Sequence, residues 1–171
     1  MAKIARLLVM AMASVGVLAM AQSAGGTARL SAYQPVFELV RMVNALAEVD
    51  RVQGLAFDKD QAAALLGKLH PLGLQENLEP PQAVTLRKEL EALLTPAQSV
   101  WVRGWLEQQE KMARMRLAQI RTDTKPSFYM FAVPGYLGMV AELQSGKPFN
   151  PFKKGPNATR LNSLIQSLQR R

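Results

Sequence analysis

Residues 94–121 read LTPAQSVWVRGWLEQQEKMARMRLAQIR. Thr95 offers a side-chain oxygen to a first helical turn, and Pro96 stands where a missing N–H costs nothing. Gln98, three residues past the cap, can bond back to the Thr95 amide. Beyond this start Val102, Trp105, Leu106, Gln109, Met112, Ala113, Leu117 and Ile120 recur at three and four residues, the period of a helix with one buried side. Lys111, Arg114 and Arg121 lie off that stripe and Arg116 borders it. The spacing predicts one helix over 96–121, about 39 Å long at the standard rise.

The same punctuation stands upstream, in Asp58-Lys59-Asp60-Gln61 and Glu79-Pro80-Pro81-Gln82, with Glu79 the weaker cap. Shifts of 21 and 37 residues superpose parts of these units, but unequal shifts exclude a regular solenoid, so the repeat is read as helix punctuation. Before them, Val36, Leu39, Val40, Val43, Leu46 and Ala47 mark a buried stripe on a helix entered near Pro35 and ended near Gly54. After residue 121 a break is expected over 122–127. Pro134 is expected to open a short helix ending at Gly146, and Leu161, Leu164, Ile165 and Leu168 mark a last amphipathic helix. No segment alternates with a period of two. The expected fold is all-α, a small bundle of about five to six helices with one long helix.

The start of the chain has the layout of an export signal. Lys3 and Arg6 precede an uncharged run over 7–21 that ends Ala19-Met20-Ala21, which places a cleavage before Gln22. The run is short for a membrane anchor. The expected organisation is a signal peptide over 1–21, a helical domain over 22–146 and a basic C-terminal segment over 147–171. The mature chain would have 150 of the 171 residues, enough for one self-sufficient core, and it contains no cysteine. An exported domain of this size that relies on packing rather than disulfides suits a bacterial envelope, periplasmic or extracellular. In that setting Asn157-Ala158-Thr159 is an accidental glycosylation sequon.

Charge is unevenly placed. Glu142 is the last acidic residue, and Lys147, Lys153, Lys154, Arg160, Arg170 and Arg171 follow it. Without Lys3 and Arg6 the formal charge falls from +8 to +6, so the body is neutral and the tail carries the excess. Those six cations are the expected contacts to an anionic surface, whether lipid headgroups or acidic wall polymers. Nucleic acid is not expected as a partner in such a compartment. Deleting 147–171 is expected to weaken that attachment while leaving the helical body folded, unless the Leu161 stripe packs on it.

Composition removes histidine- and cysteine-based chemistry but leaves serine–lysine and carboxylate catalysis open. His70, the only histidine, precedes Pro71 at an expected helix end, where it suits exposed carbonyls. Without cysteine and with one histidine, nitrogen–sulfur zinc sites and cysteine dyads are absent. Asp58 with Asp60 and Glu107 with Glu110 are read as solvated helix-surface pairs. Met112 and Met115, three apart, are read as core packing rather than a soft metal site, and Trp101 and Trp105 as core and rim of one helix. No enzyme activity and no cofactor are expected. The uncharged run over 126–141 contains Phe128, Tyr129, Phe131, Tyr136 and Met139, which are read first as core and otherwise as a contact for apolar partners.

Leu94-Thr95-Pro96-Ala97-Gln98 resembles the LTxxQ motif of the Spy/CpxP family of small exported envelope proteins, with Phe57-Asp58-Lys59-Asp60-Gln61 as its degenerate second copy. The resemblance covers about 55–121. It implies a helical periplasmic protein, often a homodimer, that binds unfolded clients or a sensor domain without ATP or cofactor, with Thr95, Gln98, Asp58 and Gln61 as its helix-cap residues. The chain departs from the family in having one intact motif, a helix ahead of it and an unmatched 135–171. Two functions follow as expectations: a chaperone-like or regulatory binding protein for apolar segments, and a structural envelope protein held to surfaces by its basic tail.

Overall fold

The computed structural model describes residues 28–121 and 126–171. The expected export leader and its cleavage point lie outside the described residues, as does most of the expected break after residue 121. Every regular element described is helical: α1 Gln34–Val49, α2 Lys59–Leu74, α3 Pro80–Ala92, α4 Pro96–Ala118, α5 Tyr129–Ala132, α6 Tyr136–Gln144 and α7 Gly155–Leu168. A helical turn over 28–32 precedes α1. These are more helices than the expected five to six, because the apolar run after 126 folds as two short pieces. Val133, Pro134 and Gly135 separate them. Pro134 therefore ends one piece rather than opening the next. Gly135 makes the corner at φ 73°, and a Cβ there would also meet Pro156 Cγ at 3.1 Å.

The centre of the molecule is α1. Its periodicity predicts one buried stripe, yet twelve of its sixteen residues are buried, Arg41 and Asn44 among them. The helix is covered by α3, α4 and α7 at once, and a helix apolar nearly all round belongs in the interior. Phe57, Leu65, Leu69, Leu72, Leu78 and Leu90 complete the core from α2, α3 and the loops beside them.

The capping signals operate as chemistry predicts. Asp58 Oδ1 accepts from the Gln61 amide at 2.8 Å, Thr95 Oγ1 accepts from the Gln98 amide at 3.2 Å, and the Thr95 amide donates to Gln98 Oε1 at 2.9 Å. At the weaker cap the Glu79 amide donates to Gln82 Oε1 at 3.0 Å, while the Glu79 carboxylate is drawn toward Tyr33 and Asn77. One boundary is corrected: α2 does not end at His70 but runs through Pro71 to Leu74. Proline removes the bond that would reach Gly67, an exposed position where water can serve the carbonyl.

The C-terminal segment is part of the same core. Asn150 Nδ2 donates to the Leu72 and Gln75 carbonyls at 2.8 Å each, and the Leu78 amide donates to Phe149 O at 2.8 Å, which laces 147–154 to the end of α2. Phe149 and Phe152 are buried, as are Leu161, Leu164 and Leu168 of α7, which packs on α1 and α2. Asp50, itself buried, accepts from Ser167 Oγ at 2.6 Å and from Arg171 at 3.0 Å and so closes the chain end onto α1. The picture of a basic tail appended to a finished body is corrected accordingly.

Candidate functional site

The four helix-cap residues meet in space. Gln61 Nε2 donates to Gln98 Oε1 at 2.9 Å and to Leu93 O at 2.9 Å; Gln98 Nε2 donates to Leu55 O at 3.0 Å and to Gln61 Oε1 at 3.2 Å. This reciprocal amide pair locks the start of α2 to the start of α4. Every polar atom of the two glutamine side chains is turned to the protein itself, so Gln61 and Gln98, with the Asp58 and Thr95 caps, hold helix starts together.

The aromatic run is divided between core and surface. Tyr129, Tyr136 and Met139 are buried, which corrects the expectation that they offer partner-binding surface. Phe37 packs against Tyr129 at 5.4 Å and Tyr136 at 5.3 Å between ring centroids. Tyr129 OH donates to Glu38 Oε1 at 2.8 Å, and burial, reinforced by that bond and the Glu38 charge, pushes its ionisation well above the ordinary 10.0. Arg41, buried beneath, donates to both Glu38 oxygens at 3.0 and 2.9 Å and to Leu106 O at 3.0 Å. Two guanidiniums lie over the Phe128 ring, Arg41 and Arg114 each 5.4 Å from its centroid. Of the five expected contact residues, Tyr129 borders a hollow of about 420 Å³ with Pro35, Glu38, Val84 and Arg87, and Phe131 borders a second concave surface.

That surface is a groove of about 510 Å³ between α4, the α5–α6 corner and the start of α7. Trp105, Met130, Phe131 and Pro134 line it with apolar surface, and Asn44 and Glu48 of α1, Gln109 and Arg116 of α4 and Arg160 of α7 line it with polar and charged groups. Its one carboxylate, Glu48, is shared by Arg160 at 3.3 Å and Arg51 at 3.7 Å. Trp105 and Arg116 are legible in the sequence as edge positions of the α4 stripe. The sequence signal for Asn44 is an amide inside an otherwise apolar helix, and Gln109 shows in the sequence only as a member of the α4 stripe.

The six tail cations do not form a free basic patch. Lys153 pairs with Glu76, Lys154 with Glu142 at 3.0 Å, Arg160 with Glu48 at 3.3 Å and Arg171 with Asp50 at 3.0 Å. Only Lys147 and Arg170 of the six lack a carboxylate partner among the described residues. Each exposed pair contributes little to stability, but each cancels charge that the surface-attachment expectation counted as available. Among the described residues Arg29, Lys59, Lys88, Arg103, Lys111, Arg116 and Arg121 also lack such partners, so unpaired positive charge is spread over several elements, α4 among them.

Two smaller expectations resolve here. Met112 and Met115 are 45 % and 52 % exposed, not core: the covered face of these turns is that of Ala113, which is buried, and the two methionines lie off it. Asn157 is buried and donates to Pro134 O at 3.0 Å, so its nitrogen is enclosed and the sequon is unusable in the folded chain. Among the described residues no helix is long and apolar enough to cross a membrane. Comparison with known protein families, curated proteins and solved structures returns no match.

Proposed function

We propose that this is an exported, non-catalytic helical binding protein, chaperone-like or regulatory, that takes up apolar segments of client or partner proteins. The observation that carries this is the groove beside Trp105 and Phe131, a hollow of about 510 Å³ in which a few apolar side chains stand among polar and charged groups from α1, α4, the α5–α6 corner and α7. Large aromatic side chains at the rim of such a hollow are the usual anchors of protein recognition. The likeness of Leu94-Thr95-Pro96-Ala97-Gln98 to the LTxxQ motif adds the expectation of an envelope protein of this kind. Attachment to anionic surfaces through the tail is the less favoured alternative, since four of its six cations already face carboxylates of the body.

The test is delayed aggregation of a reduced, unfolding client by the mature protein, with the variant Trp105→Ala/Phe131→Ala compared against wild type. Protection that is lost in the variant while its helical circular dichroism is kept is the expected outcome. Undiminished protection by a folded variant would remove the groove from the function.

A further inference from the structure

We infer that the groove selects apolar segments bearing a carboxylate: its occupant is a short stretch of unfolded peptide with an aspartate or glutamate beside an apolar side chain. This rests on the peptide-binding role proposed above and specifies its substrate. The first observation is Asn44. The residue is 3 % exposed and lines the groove, yet its side-chain amide donates to no protein group among the described residues. Unlike Arg41 Nε and Asn157 Oδ1, this amide is not sealed from solvent, so it meets the groove's water and is a donor that an occupant can take over.

The second observation is charge. Arg116 and Arg160 line the groove, and its only carboxylate, Glu48, is already engaged by Arg160 and Arg51. Arg116 lacks a carboxylate partner among the described residues. A carboxylate has acceptor sites enough for a guanidinium fork and an amide together. A lysine in its place would face guanidiniums and leave the Asn44 donor unmet. Trp105 and Phe131 meanwhile take the neighbouring apolar side chain and reduce the water around the pair, which strengthens the attraction. The volume is that of a small-molecule site, suited to a short extended stretch rather than a folded surface.

Fluorescence anisotropy of labelled, end-capped peptides tests this. Three share one apolar centre and differ in flanking Glu, Gln or Lys. The glutamate peptide is expected to bind about tenfold tighter than the glutamine one, the worth of one good charge-assisted contact, with the lysine peptide weaker still. Arg116→Gln, at an exposed position, and Asn44→Leu, checked by thermal unfolding, are each expected to narrow that gap without abolishing binding. Equal affinity for all three peptides, with binding still lost in Trp105→Ala/Phe131→Ala, overturns the selectivity and leaves the groove's function standing. A gap unchanged in folded Arg116→Gln also overturns it. Absence of binding by every peptide overturns both. Dodecanoate displacing the glutamate peptide at its own affinity would assign the groove to small acids and overturn the peptide occupant.

Discussion

Gln98 shows how one side chain can serve three purposes. Its oxygen caps α4 through Thr95, its nitrogen holds the Leu55 carbonyl, and the pair with Gln61 ties two helix starts together. Thr95→Ala removes one cap bond and is expected to cost about 1 kcal/mol. Gln98→Ala leaves several buried groups without partners and is expected to cost about 2–3 kcal/mol. Denaturant unfolding of both variants checks the order, and equal losses would mean that the amide pair contributes nothing beyond the cap. Tyr129 supplies a pH prediction. Burial and the bond to Glu38 raise its folded-state ionisation above the unfolded 10.0, so the folded chain keeps a proton that the unfolded chain releases. That contribution is complete below pH about 10 and is lost as pH rises beyond it. The melting temperature of wild type is therefore expected to fall more steeply between neutral and strongly alkaline pH than that of Tyr129→Phe. Parallel curves would contradict the assignment.

At the scale of elements, α7 and the strap before it reverse the sequence-based expectation about truncation. The stripe of Leu161, Leu164 and Leu168 covers α1 and α2, and Asn150 satisfies the last carbonyls of α2. Removing 147–171 is expected to expose the central helix and to abolish cooperative thermal unfolding. A truncated protein that still melts in one sharp transition would restore the idea of an independent tail. Leu161→Ala is the milder probe, with an expected loss of about 3 kcal/mol for a fully buried leucine. The long helix behaves differently. Its first half is clamped by α1 and the glutamine pair, whereas Met112 and Met115 on its last turns face outward.

For the whole molecule, the distribution of charge separates the two functional readings. With four tail cations paired to body acids, the protein is expected to sediment only weakly with anionic vesicles and to lose that association within a few hundred millimolar salt, where the screening length falls well below about 8 Å. Protection of an apolar client is expected to persist under the same salt, because the groove's aromatic walls contribute through burial rather than long-range attraction. Client protection that vanishes with salt alongside vesicle binding would favour the surface-attachment alternative.

From sequence alone came the helical class, the long α4, the three cap positions and the apolar stripe of α7. All of these depend on residues within a turn or two of each other, where spacing and capping chemistry decide the outcome. Tertiary structure decided the rest. That α1 is buried on every side depends on three helices distant in sequence closing over it. The meeting of Gln61 with Gln98 depends on how two hairpins fold back, as does the burial of Tyr129 and Tyr136 while Phe131 is left at a groove. The tail's positive charge was plain from composition, but its cancellation needed Glu76, Glu142, Glu48 and Asp50 brought beside it. Local periodicity reports which faces are apolar; which of them are covered, and by what, is fixed by packing between residues far apart in the chain.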